Sequence, residues 1–336
     1  MFKLMRWLHR SFCLAAALAI AQPSLAQMGA EFYNGKTVTY IVATGPGGGY
    51  DTYGRLVAEY MQKYLPGSTF VVKNVPGAGH LVGANTLYAS KADGLTIGTF
   101  NTGLIYNQLI ENEGVKFDLR KMSWIGKAGA DPRVVMVSAH TPFKTLDDLR
   151  HSKSEILFAV GGAGSATFVE TMVLINALKL PAKRLTGYIA NDDQMAMRRG
   201  EIHAAVGARS TYEEFVKNGF GRFIIQIGGT DTDVPQLGDV VKDPAATALI
   251  SLVRSQGEIS RLTAGPPGIP ADRLESLRTA YSKALSDPEL RAKAAKLGRP
   301  VEPATGEEVA KLVNAALDQS PETINLIRKG MKTEKK

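Results

Sequence analysis

Cysteine is all but missing from these 336 residues: Cys13 is the only one. A chain of this length with one cysteine has no disulfide framework, and thiolate chemistry has a single N-terminal candidate. Histidine is scarce as well, with five residues, no H-E-x-x-H and no clustered spacing of metal ligands, so the common zinc-hydrolase signatures are excluded. A triphosphate loop of the form G-x-x-x-x-G-K-[ST] is also lacking. After residue 26 no stretch approaches the ~18 consecutive apolar residues that mark a membrane span. Repeats and biased tracts are absent, which excludes solenoids, coiled coils and collagen. With 44% hydrophobic and 21% charged residues the composition is that of a globular chain.

What is present begins at the N-terminus. Lys3, Arg6 and Arg10 precede the apolar run Phe12–Ala21, and Ser24-Leu25-Ala26 supplies small residues for cleavage. That order is expected of a secretory signal peptide over residues 1–26, with the mature chain starting near Gln27. The run is too short to serve as a membrane anchor. Cys13 would leave with this segment and has no lipoprotein-like residues before it, so the mature chain would hold no cysteine. Without Lys3, Arg6 and Arg10, Lys+Arg falls from 40 to 37 against 32 Asp+Glu, a net +5. An excess this small and this scattered argues against a nucleic-acid partner and suits attraction of small anions. Export as a soluble chain and, from the length, about two domains are the resulting expectations.

The body of the chain alternates strand and helix patterns. Lys36–Ala43 and Thr69–Val75 read as strands, each ended by a glycine-rich turn, and helical spacing follows from Leu56 to Leu65 and over Leu81–Ser90. Further strands are expected at Leu95–Phe100, Ser123–Ala128, Arg133–Ser138, Ile156–Val160, Leu185–Ile189, Ile202–Val206 and Phe223–Ile227. Helices are expected to start at Thr145, to cover Ala166–Leu178, and to lie near Asp193–Arg199 and Tyr212–Lys217. The C-terminal quarter is helical, with Asp287-Pro288, the capping box Thr305–Glu308 and Ser320-Pro321 as starts, and Gly298 as a stop. Alternation at this spacing predicts an α/β fold with mostly parallel sheets, whose ligands bind at the carboxyl ends of strands.

Glycine loops stand at those ends. Gly45-Pro-Gly-Gly-Gly-Tyr-Asp51 allows backbone N–H groups and a helix N-terminus to meet an anion; its alternative is a tight turn. Tyr50 occupies the place of the last glycine of a dinucleotide fingerprint, and Asn74-Val75 replaces the usual acid, so no dinucleotide cofactor is expected. Asp51 is either a helix cap or an acceptor for a ligand ammonium or hydroxyl. Asn74-Val-Pro-Gly-Ala-Gly-His80 is a second such loop, and Gly161-Gly-Ala-Gly-Ser-Ala-Thr167 a third, where Ser165 and Thr167 can cap a helix or donate to a carboxylate. Arg209, just past a strand, is either a carboxylate clamp or a structural arginine. No nucleophile–base pair is legible, so no catalytic residue, metal or cofactor is expected.

Tyr40-Ile-Val-Ala-Thr-Gly-Pro-Gly-Gly-Gly-Tyr-Asp51 with Arg55-Leu-Val-Ala58 resembles the opening signature of the periplasmic solute-binding proteins of tripartite tricarboxylate transporters, the Bug family. The resemblance continues through Val72–Gly79, Gly83-Ala84 and Asp93–Ile97, and returns at Pro267–Pro270, Leu285–Pro288 and Leu297-Gly298. It implies a two-lobed, type II-like periplasmic binding protein with an interlobe ligand cleft. The chain would cross between lobes near Ala128–Arg133 and Ile259–Gly265, giving one lobe from 30–130 plus 264–336 and another from 131–263. It implies a carboxylate ligand held by Gly48, Gly49, Asp51, Ala78, Gly79, Ser165, Thr167 and Asn191. Tyr50, His80, Phe168 and Tyr188, where they face the cleft, would suit a bulky or aromatic acid. The implied partners are the membrane subunits of such a transporter, with the receptor itself a monomer. A ligand-binding partner of a sensor kinase and an exported α/β enzyme are the rival readings. Three places depart from the family pattern: His80 where a glycine is usual, Phe168 where a histidine is common, and Asn191–Met197 in place of a proline-and-alanine stretch.

Overall fold

A computed structural model describes residues 25–162, 165–189 and 191–331. Nearly all of the expected signal peptide, residues 1–24, lies outside the described residues, as do residues 163 and 164 of the third glycine loop. The first half runs α1 Leu25–Phe32, β1 Thr37–Val42, α2 Gly49–Tyr64, β2 Thr69–Asn74, α3 Leu81–Tyr88, β3 Thr96–Thr99, α4 Leu104–Leu109 and β4 Ser123–Lys127. The middle runs β5 Arg133–Ser138, α5 Leu146–Arg150, β6 Ile156–Val160, α6 Ala166–Leu178, β7 Ala182–Thr186, α7 Asp192–Arg198, β8 Ala204–Ala208, α8 Arg209–Lys217, β9 Gly221–Ile227, α9 Leu237–Val240 and α10 Pro244–Glu258. The chain ends with β10 Leu262–Gly265, α11 Ala271–Ser286, α12 Pro288–Lys296, β11 Ala304–Thr305, α13 Gly306–Leu317 and α14 Pro321–Met331.

The strands form two sheets, ordered β11-β4-β10-β3-β1-β2 and β7-β6-β8-β5-β9. In each, three strands are parallel and are followed by one antiparallel strand that enters from the other half of the chain. β1 runs parallel to β2 and β3, while β10 is antiparallel to β3 and β4. β6 runs parallel to β7 and β8, while β5 is antiparallel to β8 and β9. The sheets are therefore mixed rather than mostly parallel. Local patterning shows where strands are but not which way a strand delivered from ~130 residues away will run.

Helices cover both faces of each sheet. Tyr40, Met61, Leu277 and Tyr281 belong to one core, between the first sheet and α2 and α11. The approach of α2 depends on Gly54, where a Cβ would lie 2.7 Å from Val42 Cγ2. A second core is continuous from Phe100 and Leu104 through Val169, Val253 and Val313, joining α4 and α13 to α6 and α10. α14 lies against α6 and α10, with Ile327 fully buried. The last helix thus packs on second-sheet helices, where the expected division placed everything from 264 to 336 with the first. β7 sits three residues earlier than expected because Gly187, at φ 107°, ends it.

Candidate functional site

The three parallel strands of each sheet direct their carboxyl ends at one space between the sheets. After β1 it is lined by Ala43–Gly45 and Gly48–Tyr50, after β2 by Pro76–His80, and after β3 by Asn101. From the second sheet come Gly161, Gly162, Ser165 and Thr167 after β6, Gly187–Ile189 after β7, and Gly207 and Ala208 at the end of β8. The cavity volume is about 350 Å³, at the lower end of small-molecule sites.

Two helices end on this cavity with their positive termini. α2 begins at Gly48, which caps it without a side chain, so the first-turn N–H groups beside Gly48 and Gly49 lie at the cavity wall. Asp51 is not the cap. It sits in the first turn of α2, takes hydrogen bonds from Gly47 N–H and Arg55 Nε, both at 3.0 Å, and from Asn74 Nδ2 at 2.8 Å, and does not line the cavity. Burial opposes its charge, but Arg55, the Gly47 N–H and Asn74 outweigh it and hold the carboxyl below its ordinary value. Its job is to fix the glycine loop. α6 begins at Ser165, whose Oγ accepts from Phe168 N–H at 3.3 Å. Thr167 Oγ1 accepts from Gly161 N–H at 3.0 Å and lies 3.1 Å from Ser165 Oγ.

The second loop is wound tightly. Gly77, Ala78, Gly79 and His80 all have positive φ, at 136°, 45°, 62° and 77°. Position 80 therefore favours glycine for a backbone reason, since a side chain there costs about 1–2 kcal/mol. The His80 ring stands edge-on to Tyr50, centroids 5.5 Å apart, and its buried Nδ1 has no partner among the described residues. Burial lowers the imidazole to about 4, so it is neutral at pH 7. His80→Gly is expected to raise stability by about 0.5–1 kcal/mol, read from chemical denaturation. A loss instead would show that the contact with Tyr50 outweighs the strain.

The floor of the cavity is the pair of segments that cross between the sheets. Arg133, where the first crossover enters β5, lines the cavity and bonds Glu170 Oε2 through Nε at 2.9 Å and Nη2 at 2.5 Å. Glu170, 1% exposed, has its pKa raised by burial against the pull of Arg133. Arg261, on the second crossover, bonds Asp131 Oδ2 on the first at 2.5 Å, and Asp131 also accepts from Ser210 N–H at 3.0 Å and Ser210 Oγ at 2.5 Å. The Arg261 guanidinium lies 4.6 Å from the Tyr50 ring centroid and 5.1 Å from that of Tyr53. On the second-sheet wall, Asp193 accepts from Tyr212 Oη at 2.6 Å and lines the cavity with it.

Of the residues named from sequence, Gly48, Gly49, Tyr50, Ala78, Gly79, His80, Ser165 and Thr167 line the cavity, as does Tyr188. Asp51, Asn191, Arg209 and Phe168 do not. Asn191 is the N-cap residue of α7. Arg209 is held away by Glu213 at 3.1 Å and Asp231 at 2.5 Å, and lies over the Phe223 ring. Phe168 is buried beneath the Arg184 guanidinium, 4.1 Å from its ring centroid. The arginines that do reach the cavity, Arg133 and Arg261, were missed, along with Asn101, Asp193 and Tyr212. A signal existed for the first two: each stands where the family resemblance implies a crossover.

Two sheets of matching strand order, two crossovers and a cavity where both sets of carboxyl ends converge define a two-lobed α/β solute-binding fold. The chain belongs to the tripartite tricarboxylate transporter family of receptors, whose profile matches residues 54–329. It is similar in structure to the periplasmic binding protein BugD, with TM-score 0.72 and 19% identity over 88% of this chain and 97% of that one. MatC from Rhodopseudomonas palustris, solved with bound malate, gives TM-score 0.71 and 19% identity over 88% of this chain and 99% of that one. A UPF0065 protein from the tcbD-tcbE intergenic region of Pseudomonas sp. strain P51 is 21% identical over 84% of this chain and 83% of its own. Among the described residues no helix is long and apolar enough to cross a membrane.

Proposed function

We propose that this protein is an exported receptor that captures a small organic acid in the interlobe cavity and presents it to the membrane subunits of a tripartite transporter. The observation that carries this is the meeting of two positive helix ends, α2 and α6, on one small cavity lined by glycine loops. The residues 1–26 act as the leader, and the mature chain works in the periplasm as a monomer. Gly48, Gly49, Ala78, Gly79, Ser165 and Thr167 contact the acid, and Tyr50, Tyr188 and His80 set its bulk. The relative that holds malate is consistent with a carboxylate of this size. The lobes close about residues 128–132 and 259–261, so the liganded state is selected from an existing equilibrium. Micromolar affinity needs about −8 kcal/mol net, within reach of a few charge-assisted hydrogen bonds. The cavity hydroxyls serve binding rather than turnover: Ser165 caps α6 and Thr167 holds the Gly161 N–H.

The test is a thermal-shift screen on protein unfolded and refolded to strip carried ligand. Its panel holds citrate, C4–C6 dicarboxylates, aromatic carboxylates, acidic amino acids, and sugars as controls. Stabilisation by acids, rising with concentration as mass action requires, is the expected result. A response to sugars alone would overturn the carboxylate assignment.

A further inference from the structure

The ionisable side chains on the cavity wall do not add up to a plain anion site. Arg133 is neutralised by Glu170, and Arg261 by Asp131, in both cases through buried ion pairs. His80 is neutral. What is left facing the cavity is Asp193, 8% exposed, with no cation paired to it among the described residues. The groups around its carboxylate are Tyr212 Oη from α8, the Gln194 N–H at 2.8 Å, its own backbone N–H, and the like-charged Asp192 on α7. Arg133 and Glu170 stand farther back, acting on Tyr212. Tyr212 Oη donates to Oδ2 and Gln194 N–H to Oδ1, and with the residue's own N–H this leaves the carboxylate one acceptor direction.

We propose that the ligand is an organic acid that also carries a protonated amine, its ammonium group seated on Asp193 and its carboxylate at the N–H groups of the glycine loops. This rests on the receptor reading above and narrows its substrate class. A ligand with anionic groups only would place one of them beside Asp193 with no free cation to offset it, whereas an ammonium restores the charge balance that burial disturbs. Burial raises the Asp193 pKa against the bonds from Tyr212 and Gln194. Affinity for an amine-bearing acid therefore falls as pH drops and Asp193 takes up a proton, while affinity for a plain acid at the same place would rise.

The experiment is calorimetric titration of the stripped protein with matched pairs, succinate against aspartate and glutarate against glutamate, at pH 8 and about 5.5, with wild type and Asp193→Asn. The amine-bearing member of a pair is expected to bind about 10- to 100-fold more tightly. Asp193→Asn, which keeps an acceptor for Tyr212, is expected to remove that preference and its pH dependence. Plain acids binding as tightly as their amine-bearing partners, in wild type alone, would overturn this inference and leave the receptor standing. If no acid of either kind binds, the receptor reading falls and this one with it. The wild-type pairs decide the matter even where the variant does not fold.

Discussion

Replacing Arg261 with alanine is expected to cost about 3–5 kcal/mol of folding stability. The side chain is 3% exposed and adds a buried ion pair between two crossings that the main chain already links, Ala128 N–H to Arg261 O and Asp131 N–H to Gly257 O, each at 3.0 Å. Without it, the Asp131 carboxylate keeps its bonds from Ser210 but loses its counter-charge inside the protein. The faces of Tyr50 and Tyr53 lose their cation at the same time. The site is shaped around this guanidinium: a Cβ at Gly49 would stand 3.0 Å from its Nη2. Denaturant melts of Arg261→Ala, Asp131→Asn and the double variant measure the coupling. If the losses simply add, the pair is not the link between crossovers described above. Arg261→Lys is expected to recover little, since an ammonium does not reproduce the planar stacking on two rings.

Glu170→Gln has an expected effect of the same size and a different signature. It leaves Arg133 buried at the cavity wall without its counter-ion, a loss of about 3–5 kcal/mol in the unliganded protein. A cavity is open beside this cation, so a small dianion can take the place of the lost carboxylate. Added succinate is therefore expected to raise the melting temperature of Glu170→Gln more than that of the wild type. The excess should grow with the logarithm of concentration. Equal shifts in the two proteins would mean that Arg133 does not present its charge to the cavity.

How much of this was legible in the sequence depends on the range of the interaction involved. Arg133–Ser138, Ile156–Val160 and Ala166–Leu178 coincide with β5, β6 and α6, because hydrophobic run, turn glycines and cap residue all act within a few positions. The capping boxes at Thr145 and Thr305 form for the same reason. The glycine loops were read as cavity walls because a strand's carboxyl end is a place that local pattern can find. β10 was not read: four residues, Leu262–Gly265, carry no periodicity, and only the gap between β3 and β4 makes them a strand. Arginine roles failed likewise. Arg209 follows a strand and looked like a clamp, but Glu213 and Asp231 claim it. Arg133 and Arg261 look ordinary until Glu170 and Asp131 are brought beside them, the latter from 130 positions away. Asp51 was placed at the helix start correctly, but the cap is Gly48, three positions earlier, which caps α2 with its backbone alone.

The insertion of β10 between β3 and β4 also sets an order of assembly. The first sheet cannot close until residue 262 has been made, after every strand of the second sheet is already available. Its early strands must wait, with an open edge, for a segment that arrives more than a hundred and fifty residues behind β3. Such non-local closure makes folding slow. A chain released stepwise therefore keeps its first sheet incomplete, and pliable, until residue 262 has emerged, while the second sheet already holds all of its strands.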